Sequence, residues 1–403
     1  MFKCIACQPI FNRNLNVYGY ELLYRKNEDS VSYDAADGNR ATRDVIATAF
    51  TDIGIEEITG GRKAFINFTS DLILDEVPNM LSNKVLVVEL LEEVRSSEPV
   101  INACRKLKQK GYILALDDFV YSEENKGLIE LVDIIKIDFQ SMGETGVRDT
   151  LNKLRRHPRK IILAEKIETQ KEFELALSLG FSLFQGYFFS KPILKSGRRA
   201  DTRILSRMQL LNEIAKPELD FHKLADIIRK DVVMSYRLLK IVNSAYYGLR
   251  YSINNILHAL VMLGVNESRK WISLILLSDV SGSKPDELIR MAFIRGMFME
   301  KIALHLKKRK NKDDYFMSGL FSLAGSIFDV SLDIVLSEIN LTPEITAPLL
   351  TGVGEVADFI KVVLCLETAE WDNAVEIAGK YGIPHDQLHD IYFESIKSAN
   401  ELL

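Results

Sequence analysis

Tyr112-Ile113-Leu114-Ala115-Leu116-Asp117-Asp118-Phe119 is an apolar, β-rich run interrupted by two adjacent carboxylates. Acids in such a run cost free energy unless something pairs with them. The same composition recurs in both directions. Upstream, Val85–Leu91 carries Glu89, Lys63–Phe68 carries Asn67, Val17–Leu23 carries Glu21, and Lys3–Cys7 leads into Gln8. Downstream, Ile134–Asp138 carries Lys136, Lys160–Ile167 carries Glu165, and Leu183–Phe189 carries Gln185. That makes eight runs. Stretches with helical spacing lie between most of them, at Arg40–Ile53, Val100–Lys110, Gly146–Arg155 and Thr169–Leu179. Repeated strand–helix alternation predicts a parallel sheet, and eight strands predict a closed (β/α)8 TIM-like barrel. Only Ile10–Asn16 separates the first two runs. That is too short for a crossover helix, so these two strands are expected as an antiparallel hairpin.

Most of the polar residues fall late in their strands, the end at which barrel active sites are built. Any one of them, taken singly, reads as a satisfied polar residue at a strand end. The repetition of one topological position in nearly every strand is what points to a site. Five buried carboxylates with one lysine are neutralised most readily by metal ions, and all-oxygen ligands suit Mg²⁺ or Mn²⁺.

The second half changes character. Ser196-Gly197-Arg198-Arg199 reads as a polar linker, placing a domain boundary at 197/198. Beyond it helical spacing dominates: Arg203–Ala215, Phe221–Arg229, Met234–Asn243, Ile256–Leu263, Asp286–Leu306 and Trp371–Lys380. Residues 198–403 are expected to be all-helical. The basic run Lys307-Lys308-Arg309-Lys310 with Lys312 reads as a solvated helix end.

At 403 residues the chain is long enough for two cores, and 47% of it is apolar. A net charge of −5 argues against broad nucleic-acid binding, so no direct DNA contact is expected. The longest apolar candidate for a membrane span, Trp271–Leu277, is broken by Ser273 and ends at Ser278 and Asp279. Met-Phe-Lys-Cys lacks the regions of a signal peptide, so a cytoplasmic protein is expected. Cys4 and Cys7 form a C-x-x-C pair on an extended strand, where residues three apart face opposite ways; two ordinary strand cysteines are expected.

At these residues the first half resembles the EAL family of cyclic di-GMP phosphodiesterases. The resemblance is carried in order by Gln8-Pro9-Ile10, Glu21-Leu22-Leu23-Tyr24-Arg25, Asn67, Glu89-Leu90-Leu91-Glu92, Asp117-Asp118, Lys136-Ile137-Asp138, Ala164-Glu165-Lys166-Ile167-Glu168, Gln185-Gly186 and Lys191-Pro192. It implies a two-metal site that hydrolyses cyclic di-GMP to the linear dinucleotide pGpG. Glu21, Asn67, Glu89 and Asp117 would hold one ion, and Asp117 with Asp118 the other. Lys136 and Glu165 would position the attacking water, with Glu165 as base. Arg25 would pair with a phosphate, Glu92 would brace the loop after its strand, and Gln8 and Gln185 would line the pocket.

The sequence departs from the family at Leu22 for alanine, Leu91 for threonine, Lys166 for glycine, and Val120-Tyr121-Ser122-Glu123-Glu124 in place of a glycine-rich loop. A second reading therefore stands beside the first: a barrel that acts as a cyclic di-GMP receptor or protein scaffold without turnover.

The second half resembles HDOD domains, helical relatives of HD phosphohydrolases, at Leu238–Gly248, Ile256–Leu260, Leu263-Gly264 and Glu367–Trp371. Ser322 and Leu323 stand where a metal-binding His-Asp pair would be. The resemblance implies a non-catalytic regulatory module with a protein partner, and a homodimer is compatible with it. His385 and His389, spaced i, i+4, lack an evident third ligand and read as a solvated helix start.

Overall fold

The computed structural model describes residues 4–25, 55–157, 159–186, 211, 214, 216, 218–229, 232–244, 246–248, 253–280, 286–328, 330–339 and 341–402. The chain falls into two compact units, one formed mainly by residues up to 189 and the other mainly by those from 190 onward. The expected boundary at 197/198, the helix at Arg40–Ile53 and Lys191-Pro192 lie outside the described residues.

Eight strands close a barrel in chain order: β1 (Cys4–Asn12), β2 (Val17–Arg25), β3 (Lys63–Phe68), β4 (Leu86–Leu90), β5 (Ile113–Leu116), β6 (Ile134–Asp138), β7 (Ile161–Glu165) and β8 (Leu183–Phe184). β1 is antiparallel to both of its neighbours, and every other neighbouring pair is parallel. The antiparallel hairpin is as expected, but β1 runs on to Asn12. Asn12 makes the turn possible: its side-chain Oδ1 accepts from the amides of Asn14 at 2.9 Å and Asn16 at 3.0 Å. Leu15 takes the left-handed φ of 60° that so tight a reversal needs.

Side chains alternate across a strand, so residues two apart share a face. Ile10, Phe65, Val87, Ala115, Ile134, Leu163 and Leu183 form one buried cluster, with a residue from every strand except β2. On β2, Gly19 faces Phe65: a Cβ there would meet the Lys63 carbonyl at 2.6 Å and the Phe65 ring at 3.1 Å. The aromatic fills the volume a β2 side chain would have taken. Two residues from each of these positions stand Gln8, Glu21, Asn67, Glu89, Asp117, Lys136, Glu165 and Gln185. The barrel pleat therefore stacks a polar layer directly on an apolar one.

β5 and β7 stop sooner than their apolar runs suggest. Asp118 (φ 38°) and Lys166 (φ 53°) both adopt left-handed conformations that end the ladders. Helices then return the chain. Glu98–Gln109 buries Val100, Cys104 and Leu107; Phe139–Leu154 is capped by Asp138; Gln170–Leu179 opens with a capping box of Thr169 and Glu172. Lys126–Leu131 is too short to show periodicity in the sequence.

The second unit contains helices and no strand among the described residues. Phe221–Arg229 appears as expected, whereas Arg203–Ala215 is mostly outside the described set. The helix beginning at Ile256 runs to Val280 through a kink at Gly264 (φ 76°), past the expected end at Leu263. Lys312–Phe321 shows no stripe in the sequence because Tyr315, Phe316, Ser318, Gly319, Leu320 and Phe321 are all buried. It packs closely on Asp286–His305: a Cβ on Gly319 would lie 2.4 Å from the Arg295 carbonyl. Among the described residues, no helix is long and apolar enough to cross a membrane.

Candidate active site

The polar layer converges on Lys136, whose side chain is fully buried. Its Nζ lies 2.7 Å from Asp117 Oδ1, 2.8 Å from Glu89 Oε1, 2.9 Å from Glu165 Oε1 and 3.4 Å from Glu21 Oε2. One ammonium is shared by four carboxylates. Burial alone would deprotonate the lysine, but Glu165, Glu21, Glu89 and Asp117 together hold its pKa well above the ordinary value. The acids outnumber it, so the opposite strain falls on them. Burial pushes the Glu165 carboxyl up to about 8, opposed by Lys136 and assisted by Asp117 and Glu21. Burial likewise drives Glu89 well above the carboxylate range.

The strand register explains the convergence. Asn67 sits beside Glu89 on adjacent strands, and Gln8 sits beside Glu21. Gln185 joins the two ends of the barrel wall, its Nε2 donating to Glu21 Oε2 at 2.8 Å and Gln8 Oε1 at 3.0 Å. Gly186 (φ 149°) follows with its Cα against Ile167, where a Cβ would lie 2.3 Å from backbone atoms. The structure thus brings together Gln8, Glu21, Asn67, Glu89, Asp117, Lys136, Glu165 and Gln185.

Whether a divalent cation suits this site is tested by what the acids leave unmet. Glu89 Oε2 and Glu165 Oε2 are buried without a hydrogen-bond partner. Unpaired buried carboxylate oxygens are costly. Oxygen-only donors and an excess of negative charge fit a hard divalent cation.

Asp118 stands apart from this ring. Its side chain is 46% exposed, and burial and then Asp117 raise its pKa. Lys166 Nζ lies 3.8 Å from Asp118 Oδ1 and 2.5 Å from Asp138 Oδ2. Asp138 Oδ1 in turn accepts from the amides of Gln140 at 2.8 Å and Ser141 at 3.1 Å. Sequence reasoning marked Lys166 only as a departure and gave Asp138 no role. A lysine directly after the Glu165 strand, where the family has glycine, was the available signal.

Arg25 ends β2, and its side chain lies outside the described set. Glu92 is exposed in the turn after β4. The glycine-poor segment after Asp118 is held by Asn125 instead: its Oδ1 accepts from the Ser122 amide at 3.1 Å, and its Nδ2 donates to the Val120 carbonyl at 2.7 Å.

In the helical unit, Leu323 is buried, and Ser322 Oγ accepts from Arg295 Nη1 at 3.1 Å while donating to the Gly319 carbonyl at 2.7 Å. Neither residue supplies a charged metal donor. His389 corrects the expectation of a solvated helix start: it is 3% exposed, and burial pushes its pKa down to about 3. Glu267, Glu300 and Asp313 bring carboxylate oxygens within 4.8 Å of one another, and no other such group of three is found among the described residues. Lys270 fills the centre of that group, 3.0, 2.7 and 3.0 Å from the three acids, and Lys312 lies 2.9 Å from Glu300. In the basic run, Lys308 pairs with Glu355 at 2.6 Å.

The class defined by this barrel and its acidic ring agrees with comparison to known proteins: the EAL domain model matches residues 4–192 and the HDOD domain model residues 205–333. An uncharacterized protein, YuxH of Bacillus subtilis (strain 168), is 34% identical over 407 residues, covering 99% of this chain and 98% of its own length. The cyclic di-GMP phosphodiesterase CdgJ of Vibrio cholerae serotype O1 is 32% identical over 395 residues, covering 98% of this chain and 91% of its own. The cyclic di-GMP phosphodiesterase PdeL of Escherichia coli (strain K12) is 31% identical over 147 residues, covering 33% of this chain and 38% of its own. The chain belongs to the family of proteins that join an EAL domain to an HDOD domain.

Proposed function

We propose that the barrel is a metal-dependent phosphodiesterase that hydrolyses cyclic di-GMP to pGpG, with the helical unit serving as a non-catalytic regulatory and protein-binding module. The observation that carries this reading is the buried ring of four carboxylates around Lys136, with Glu89 Oε2 and Glu165 Oε2 left without partners. Its relative CdgJ bears the name of a cyclic di-GMP phosphodiesterase.

Glu21, Asn67, Glu89 and Asp117 would hold one Mg²⁺ or Mn²⁺, and Asp117 and Asp118 a second. Bound there, the ions would supply Lewis acidity and an acidified water. Glu165, with its raised pKa and one oxygen free, is the proton acceptor. Lys136 fixes the orientation of Glu165 and keeps its carboxylate accessible in the charged form. Gln185 and Gln8 present amides at the edge of the ring, and Arg25 would meet a phosphate of the dinucleotide. The glycine-poor segment pinned by Asn125 favours the receptor or scaffold reading, since it replaces the loop that resemblance to the family would place beside Asp118.

The test compares pGpG released by the wild type, Asp117→Asn and Glu165→Gln. Loss of the general base costs about 10²–10⁴-fold in rate. Equal hydrolysis by the wild type and Glu165→Gln would remove Glu165 from the chemistry.

A further inference from the structure

Asp118 and Lys166 share an unusual backbone state at the ends of β5 and β7, the two strands that flank β6. Each is a residue with a side chain in the left-handed region, at φ 38° and 53°. For a lysine this costs roughly 1–2 kcal/mol relative to an ordinary conformation. The flanking backbone enforces both. The Asp117 amide donates to the Leu90 carbonyl at 2.9 Å and the Phe119 amide to the Lys136 carbonyl at 3.0 Å. Glu165 is paired with Asp138, and the Ile167 amide donates to the Gln185 carbonyl at 3.0 Å. A glycine at 166 would meet this geometry without strain. What lysine adds is an ammonium between Asp118 and Asp138, at 3.8 and 2.5 Å.

We infer that the Lys166 ammonium occupies the charge position that a second divalent cation needs beside Asp118, so that the two compete and the second ion binds this site weakly. The inference rests on the metal-dependent reading above. Asp118 is the proposed donor for the second ion but not the first, and it faces Lys166 rather than Lys136 in the contacts of the site. Lys166 is 52% exposed, so its ammonium can move into solvent when an ion enters, but only by giving up its 2.5 Å contact with the nearly buried Asp138 carboxylate. Of the inner ring centred on Lys136, only Asp117 is a proposed donor to the second ion, and among the described residues Lys166 pairs with Asp118 and Asp138 rather than with that ring. Lys166 is thus a positioning residue: it sets how many cations the site holds at a given concentration. Turnover would respond steeply to the divalent-ion level, because the second ion must displace a charge supplied by the protein itself.

The experiment is a calorimetric titration of Mn²⁺ into metal-stripped full-length protein, with the wild type, Lys166→Gly, Lys166→Met and Lys166→Arg. The expected wild-type isotherm has one tight event and a second that is weak or absent. Lys166→Gly and Lys166→Met should tighten the second event by about tenfold or more, the effect of removing a unit charge a few ångström from a divalent ion in a partly solvated site. Lys166→Arg should behave as wild type. Lys166→Gly relieves backbone strain and is expected to fold. Removing the lysine also frees Asp138, so Lys166→Met is repeated with Asp138→Asn, and the tightening should persist. Superimposable isotherms for wild type, Lys166→Gly and Lys166→Met would overturn the inference, as would tightening by Lys166→Arg or loss of tightening in the double variant. Absence of any Mn²⁺ binding in all of these proteins would instead overturn the metal-dependent reading on which the inference rests.

Discussion

Asp117 and Glu165 both touch Lys136, yet they should respond differently to neutralisation. Asp117→Asn removes a proposed ligand of both ions, so it should abolish hydrolysis and weaken Mn²⁺ binding together. Glu165→Gln should lower turnover while leaving Mn²⁺ affinity within a few-fold of wild type, as read by calorimetry. The raised pKa of Glu165 also predicts a pH dependence for the metal-free protein. With a folded value of about 8 against an unfolded value near 4.5, the folded state binds the extra proton between those limits. Metal-free stability should therefore fall as pH rises from about 4.5 to 8, and Glu165→Gln should flatten that slope in thermal unfolding. A metal-free protein that becomes more stable over this range would contradict the assignment. Most of this ring was legible in the sequence, because a charged residue inside an apolar strand is conspicuous. Lys166 was not legible as a site residue. Its reach to Asp118 depends on a left-handed backbone turn that no residue pattern announces.

At the scale of elements, the barrel was legible in the sequence because eight apolar runs alternate with helical stretches, each run carrying a polar residue such as Glu89 or Lys136 late in its strand. The ends of β5 and β7 were misjudged because Phe119 and Ile167 are buried after the ladder has already stopped. In the helical unit, helices buried on all sides, such as Lys312–Phe321, lack the amphipathic stripe that marks a surface helix. Close packing there is itself testable. Gly319→Ala would push a methyl toward the Arg295 carbonyl and should destabilise this unit by about 1–3 kcal/mol in denaturant unfolding. The helix His385–Leu402 carries a second pH signal. His389 is buried with its pKa lowered to about 3, against 6.5 for an unperturbed histidine, so the unfolded state takes up the proton first. Its contribution to stability is present above about pH 6.5 and is lost as pH falls toward 3. His389→Gln should lessen acid sensitivity over that window, followed by helical circular dichroism.

For the molecule as a whole, the barrel's acidic ring keeps unmet oxygens, whereas the acidic trio Glu267, Glu300 and Asp313 of the helical unit is met by lysines. In the barrel, four carboxylates share one lysine; around Lys270, three carboxylates share it with Lys312. Asp117→Asn in the full-length protein should therefore lose most stoichiometric Mn²⁺, and ions retained at full occupancy would place a metal in the helical unit. The two halves were separable in the sequence because β-like alternation ends before the helical text begins, whereas the partner of the helical unit has no residue signature in it. The central claim is that the barrel turns over its nucleotide. It is tested most directly by incubating the wild-type protein with cyclic di-GMP and either Mn²⁺ or Mg²⁺, measuring pGpG by chromatography and cyclic di-GMP affinity by calorimetry. Metal-dependent release of pGpG that stops on chelation is the expected result; measurable binding with no pGpG under either metal would contradict turnover and leave a receptor.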